Sequence, residues 1–354
     1  MKLSIRIILI LFFSLSLTTA FAQHDEKHAE KEEFNTSEFI LDHVGDAYDW
    51  HIATFGDFHL SIPLPVILYS KNSGVNIFIS SKFHHGHEAY KGFEIAQEGD
   101  YKGKIIEQST GKRPFLDLSI TKLVMSLFIS LTLILIIFLS VAKAYKKRPD
   151  KAPKGLQSLI EPLIIFVRDD IAKSSIGEKK YEKFLPFLLT IFFFIFINNL
   201  LGLIPIFPGG ANLTGNIAIT AVLALATFVI TTINGNKNYW RHIFWAPGVP
   251  WWLKVPVPLM PFVEVLGVFT KPLILAVRLF ANISGGHMVI LGFFSLIFVF
   301  QNMYGAGVAY GTGVFTLVFT VFMTFLELLV AFIQAYVFTL LSAIYFGMAI
   351  EEHH

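Results

Sequence analysis

The chain has 354 residues, of which 54% are apolar, 37 are Phe and only 15% are charged. Soluble domains carry about 25% charged residues, so this composition excludes an ordinary soluble protein and suits helices that face lipid. A formal net charge of +2 with no basic stripe leaves no footprint for nucleic acid. The lack of cysteine removes disulfides, thiolate metal sites and thiol catalysis.

The N-terminus has the form of a cleaved secretory signal over residues 1–22. Lys2 and Arg6 supply the positive region, Ile7 to Leu17 the apolar core, and Ala20–Phe21–Ala22 a small-x-small cleavage site. Residues 23–117 then read as a small extracytoplasmic domain. It opens on a charged stretch, HDEKHAEKEE, too polar to bury. Strand-like pieces follow at His59–Leu68 and Gly74–Ser80, interrupted by Pro63, Pro65 and Asn72–Ser73–Gly74. His84, His85 and His87 are bunched beside Glu88 without a distant partner at zinc-motif spacing, so a solvated surface is expected and no metal.

Residues 118–354 read as a membrane domain. Leu118 to Ala142 is long enough to cross the ~30 Å hydrocarbon core as a helix. It runs into Lys143, Lys146, Lys147, Arg148, Lys151 and Lys154, which mark the cytoplasmic side. Gly155 to Ile176 is amphipathic, with Ile160, Ile164 and Val167 on one side, and is expected at the interface. Phe184 to Phe207 and Ile217 to Ile233 make two further crossings. The next loop is again cytoplasmic, carrying Lys237, Arg241 and Lys254 with Trp240, Trp245, Trp251 and Trp252 as interfacial anchors. Two long apolar blocks close the chain, Pro256 to Tyr304 and Gly311 to Ile350. Each would make a helix of roughly 60 Å or more, so each must break, with Gly285–Gly286 the natural point, or lie strongly tilted. Gly305–Ala306–Gly307 to Gly313 is expected to form the turn between them, with the C-terminus cytoplasmic. The fold class is an all-α polytopic membrane protein of about five membrane helices, with an interfacial helix and an N-terminal domain containing some β structure.

Within the last two blocks sit polar residues that hydrocarbon penalises. Arg278 stands in the run Leu273 to Asn282, where a guanidinium costs from ~3 to more than ~10 kcal/mol and keeps its charge at any ordinary pH. Such a residue points to ion movement. On a helix of ~100° per residue Glu264, Lys271, Arg278 and Asn282 share one stripe, together with the small residues Ala281 and Gly285. That groove of small residues admits another helix. His287 faces the opposite way. In the final block Glu327, Gln334 and Tyr345 share a stripe, so an antiparallel hairpin brings His287 to Glu327 and Arg278 to Gln334. Asn198 and Asn199 are amides of the second crossing that either glue helices or line a channel.

These residues resemble subunit a of F-type rotary ATP synthases, in the membrane sector. The resemblance lies in Lys271–Pro272, in Arg278–Leu279–Phe280–Ala281–Asn282, in Glu327 through Gln334 to Phe338, in Tyr345 to Ala349 and in Asn198 to Pro205. It implies a non-catalytic, proton-translocating stator subunit with no cofactor. Its partners would be a ring of c subunits, the peripheral-stalk b subunits, the remaining synthase subunits and the lipid bilayer of a bacterial inner membrane. By resemblance, Arg278 faces the ring carboxylates. Asn282, Glu264, Lys271, Gln334, His287 and Glu327 serve the proton path, with Asn198, Asn199 and Tyr345 as lining candidates. Two departures stand out: His287 and Glu327 hold a pair that many bacterial members carry in the order Glu then His, and Gly202 replaces a usual Asp. Residues 24–110 hold no catalytic constellation and are expected to be dispensable for rotary coupling but to affect assembly or stability. The alternative reading is a secondary transporter whose midplane arginine binds an anionic substrate; the absence of inverted repeats speaks against it.

Overall fold

The computed structural model describes residue 36 and residues 45–55, 58–86, 88–147, 152–204, 207, 209–245 and 259–351. The signal-like segment, the charged stretch after it, Trp251, Trp252 and Lys254 lie outside the described residues.

The N-terminal region is a small β structure. Strands β1 (Asp49–Phe55) and β2 (Phe58–Pro63) form one antiparallel pair. β3 (Pro65–Ser70), β4 (Gly74–Ile79) and β7 (Leu116–Asp117) form a second sheet in the order β4-β3-β7, and β5 (Phe93–Ile95) pairs with β6 (Ile105–Glu107). The β3–β4 hairpin turns at Lys71–Asn72–Ser73 into Gly74, whose φ of 69° favours glycine. Alternation then buries Val66 and Leu68 of β3 and Phe78 of β4 with Tyr48, Phe83, Phe93 and Ile105. The Tyr48 hydroxyl donates to Asp117 at 2.7 Å, and Arg113 pairs with the same carboxylate at 3.2 Å. Burial pushes the Tyr48 phenol well above its ordinary range, reinforced by the bond to Asp117. Asp117 is pushed up by burial, but bonds from Ser119 and Tyr48 outweigh that and leave it below the usual carboxylate range.

The first membrane helix, α1 (Lys122–Lys147), starts later than Leu118. The amides of Leu118 and Ile120 are committed to the carbonyls of Ile67 and Pro65 on β3, which extends the sheet instead. α2 (Leu156–Phe166) continues through a π-helical segment, Val167–Lys173, to Ser174–Ile176. Of its expected face, Ile160 and Val167 are buried and Ile164 partly so. Phe166 and the π-helical segment pack it against α3 and α7, while Leu156, Leu159 and Ile165 on its other side stay exposed. α3 (Tyr181–Leu203) stops before the expected Phe207, because Ile204 precedes Pro205 and takes an extended conformation. It is apolar all round because neighbours surround it: Phe184 stacks on Phe346 of α7, and Phe193 meets Phe138 of α1. α4 (Ile217–Asn234) and the short α5 (Lys237–Phe244) follow, each capped by an Asn side chain, Asn216 and Asn236.

The last two blocks are unbroken helices, α6 (Leu259–Tyr304) and α7 (Ala306–Ile350). Of the two alternatives read from sequence, the break at Gly285–Gly286 does not occur. At ~1.5 Å per residue each helix spans roughly 68 Å, over twice the hydrocarbon core. The turn is also tighter than expected: Gly305 alone, at φ 82°, reverses the chain, and Gly307, Gly311 and Gly313 lie inside α7. α7 meets its neighbours along a stripe of Ala331, Ala335, Thr339, Ser342, Ala343 and Ala349, whose small side chains allow close approach. Among the described residues, five helices (α1, α3, α4, α6 and α7) are long and apolar enough to cross a membrane.

Candidate functional site

The polar residues of the helical core gather around two clefts and one exposed face. The first cleft is narrow and lies where α3, α6 and α7 meet the α3–α4 connection. It is lined by Asn199, Gly202, Asn212, Asn282, His287 and Glu327, with Leu203, Ile283, Val330 and Ala331 as its apolar wall. Asn199 bridges two elements, donating to the Ala331 carbonyl at 3.2 Å and accepting from Thr214 at 2.6 Å. The Glu327 carboxylate lies against Gly286, where a Cβ would stand 2.6 Å from Oε1. That oxygen is buried and, among the described residues, accepts no hydrogen bond. His287 and Glu327 therefore share one cleft, as the hairpin reading required. Asn282 also reaches that cleft, although a helical wheel sets it on the far side from His287.

The second cleft lies further along the bundle, nearer the start of α6 and the end of α7. Thr227 and Thr231 of α4, Tyr239 of α5, Lys271 of α6 and Tyr345 of α7 supply its polar lining. Lys271 Nζ stands 5.7 Å from the centre of the Tyr345 ring, a cation–π contact. α4 and α7 are pinned beside it by Thr227 and Ser342, whose hydroxyls are 3.3 Å apart.

Arg278 belongs to neither cleft. It lies between them on α6, roughly 10 Å along the axis from Lys271 and roughly 14 Å from His287. Its side chain is exposed, on a stripe with Ile274, Val277, Ala281, Asn282 and Gly285. Among the described residues no carboxylate lies within ion-pair distance of it. A permanent cation thus sits on an apolar, outward-looking face, beside small residues that leave room for a partner.

Other expected residues fall elsewhere. Gln334 is buried on α7 two turns beyond Glu327 and lines neither cleft, and Glu264 is half-exposed two turns before Lys271. Asn198 is buried but bonds within its own helix, to the Phe194 carbonyl at 2.7 Å, whereas Asn199 is the cleft residue. His84 is exposed, 3.6 Å from Glu88. Sequence reasoning missed Asn212, Thr214, Thr227, Thr231 and Tyr239. Their only local signal was a hydroxyl or amide near an apolar span.

A family model described as ATP synthase A chain matches residues 124–347. The chain belongs to this family. The match takes in nearly all of α1 to α7, with both clefts and Arg278. A subunit a of ATP synthase from Chloroherpeton thalassium is 44% identical over 245 residues, 67% of this chain and 69% of that protein. One from Chlorobaculum tepidum is 44% identical over 66% of this chain and 64% of its own length. One from Myxococcus xanthus is 40% identical over 68% and 75%. The β region is matched separately, at residues 39–119, by a domain family of unknown function.

Proposed function

We propose that this chain is the stator subunit that conducts protons against a rotating ring in an F-type ATP synthase, with the two clefts as separate half-channels. The observation that carries the reading is the placement of Arg278: exposed on a stripe of α6 with small and apolar residues, between two separate clefts. A ring carboxylate crosses lipid only when protonated. One cleft loads it and the other empties it. Between them Arg278 attracts the carboxylate, favours its ionised form and blocks direct proton passage.

The first cleft faces the extracytoplasmic side and the second the cytoplasm. Lys143, Lys146 and Lys147 end α1 away from the β region and obey the positive-inside bias. In the first cleft His287 and Glu327 offer one imidazole and one carboxylate for proton relay, and Gly202 leaves space where relatives of the family pattern carry a carboxylate. In the second, Lys271, Tyr345 and the two threonines supply the polar path out. Each charge moved through ~100 mV supplies ~2.3 kcal/mol to rotation. Nucleotide chemistry belongs to other subunits. The ring of c subunits, the b-type stalk subunits and the catalytic sector are the partners this role requires.

Arg278→Ala in the assembled complex should abolish proton-driven ATP synthesis in vesicles. Arg278→Lys should rescue little, because an ammonium lacks the planar, weakly hydrated fork. Normal synthesis by the Ala variant refutes the assignment; anionic-substrate uptake lost in its place favours a transporter.

A further inference from the structure

The first cleft is closed by the connection between α3 and α4, and that connection does not pack on helices alone. Ala211 and Leu213 are buried in an apolar cluster with Trp50 of β1 and Leu123 of α1. The Trp50 ring, 2% exposed, meets Phe207 edge-on with centroids 5.2 Å apart. Between and beyond these anchors, Asn212 lines the cleft beside Glu327, and Thr214 donates to Asn199. Neighbouring residues of the connection thus serve opposite masters: Ala211 and Leu213 are gripped by the β region, while Asn212 and Thr214 finish the cleft.

Trp50 is itself held in a frame bonded to a membrane helix. The Lys122 amide donates to Ala47 at 2.8 Å, and the Leu123 amide to the Asp46 carboxylate at 3.1 Å. The other end of the connection is secured independently, where the Ser284 hydroxyl donates to Gly215 at 3.0 Å. Removing the indole therefore loosens the packing around Ala211 and Leu213 on one side of Asn212, while Gly215, whose amide donates to the Asn212 side chain at 2.8 Å, stays on α6.

We propose that Trp50 is a positioning residue for the extracytoplasmic half-channel, clamping Ala211 and Leu213 so that Asn212 and Thr214 hold the shape of the proton entry. The β region then sets how protons enter and is not dispensable, against the expectation from its lack of catalytic residues. The inference rests on the half-channel reading above.

The test uses the intact complex in proteoliposomes, with ATP synthesis measured at fixed membrane potential while the pH on the loading side is varied. Trp50→Ala should lower synthesis by at least about threefold, short of the ~10²-fold that a full ångström of misplacement costs. It should also shift the loading-side pH at half-maximal rate. Trp50→Phe, which keeps a ring against Phe207, should restore most of both. Leu213→Ala, which removes the other side of the same contact, should reproduce the shift. An assembled Trp50→Ala complex with the parent's pH profile overturns the inference. If that variant does not assemble, Leu213→Ala decides by the same criterion. Arg278→Ala is run alongside: normal synthesis there refutes the half-channel reading itself, whereas lost synthesis with a parental Trp50→Ala profile removes only the role of Trp50.

Discussion

Gly286→Ala separates stability from proton transfer at the first cleft. A Cβ on Gly286 would stand 2.6 Å from Glu327 Oε1 and 3.3 Å from its Cδ, where ordinary contact begins near 3.4 Å. The carboxylate must therefore withdraw by about 0.8 Å, which a side-chain end does by rotating rather than by moving α7. Helix propensity works the other way, since Ala is better than Gly by ~1 kcal/mol inside a helix. The variant should therefore fold and assemble at least as well as the parent. Proton-driven ATP synthesis should fall by about tenfold or more, because displacements near one ångström cost up to ~10²-fold. Gly292→Ala is the matched control: it lies on the same helix with nothing within 4 Å of the added carbon. Thermal stability in detergent and ATP synthesis in vesicles, measured on the same preparations, decide the point. An assembled Gly286→Ala complex with parental synthesis refutes the placing of the Glu327 carboxylate on the proton path.

Exchanging His287 and Glu327 should preserve more ATP synthesis than either single change, since one acid and one imidazole remain in the shared cleft. Simple additivity in a double-mutant cycle would show that the two side chains act separately. Gly347→Ala should destabilise the bundle by about 1–3 kcal/mol, because its Cβ would run into the backbone carbonyl of Ser175; a melting temperature equal to the parent's rules out that close approach. The β region should lose stability at both ends of the pH scale. Asp117, held below its usual range, contributes stability above the unfolded value of ~3.9 that is lost as pH falls through its lower folded value. Tyr48, held above its range, contributes stability below ~10 that is lost as pH rises beyond it. Hydrogen exchange of the β3 and β7 amides should show both limbs, and Asp117→Asn should flatten the acid one. An unchanged acid limb in that variant would assign it to another group.

Hydrophobic length, the cost of a buried guanidinium and the positive charges at helix ends are local properties. They determined the membrane class, the existence of the long final hairpin and the singular standing of Arg278 from the amino-acid order alone. That His287 and Glu327 share a cleft was also legible, because helical periodicity fixes which residues share a face once two helices run antiparallel. Helix continuity was not. Propensity left open a break at Gly285–Gly286 against a tilted unbroken helix, and it read the run from Gly305 to Gly313 as a wide turn. Yet only Gly305 leaves the helix, because hydrocarbon offers no partner for a freed amide or carbonyl and keeps the backbone bonds closed. The clefts depended wholly on tertiary structure. Asn199, Asn212, His287 and Glu327 come from α3, a loop, α6 and α7, and no spacing along the chain records that they meet. Trp50 is the clearest case. In sequence it is one aromatic in an unremarked stretch before the first expected strand. Only the docking of β1 on Ala211 and Leu213, which buries an indole against a loop some 160 residues away, makes it a neighbour of the proton entry.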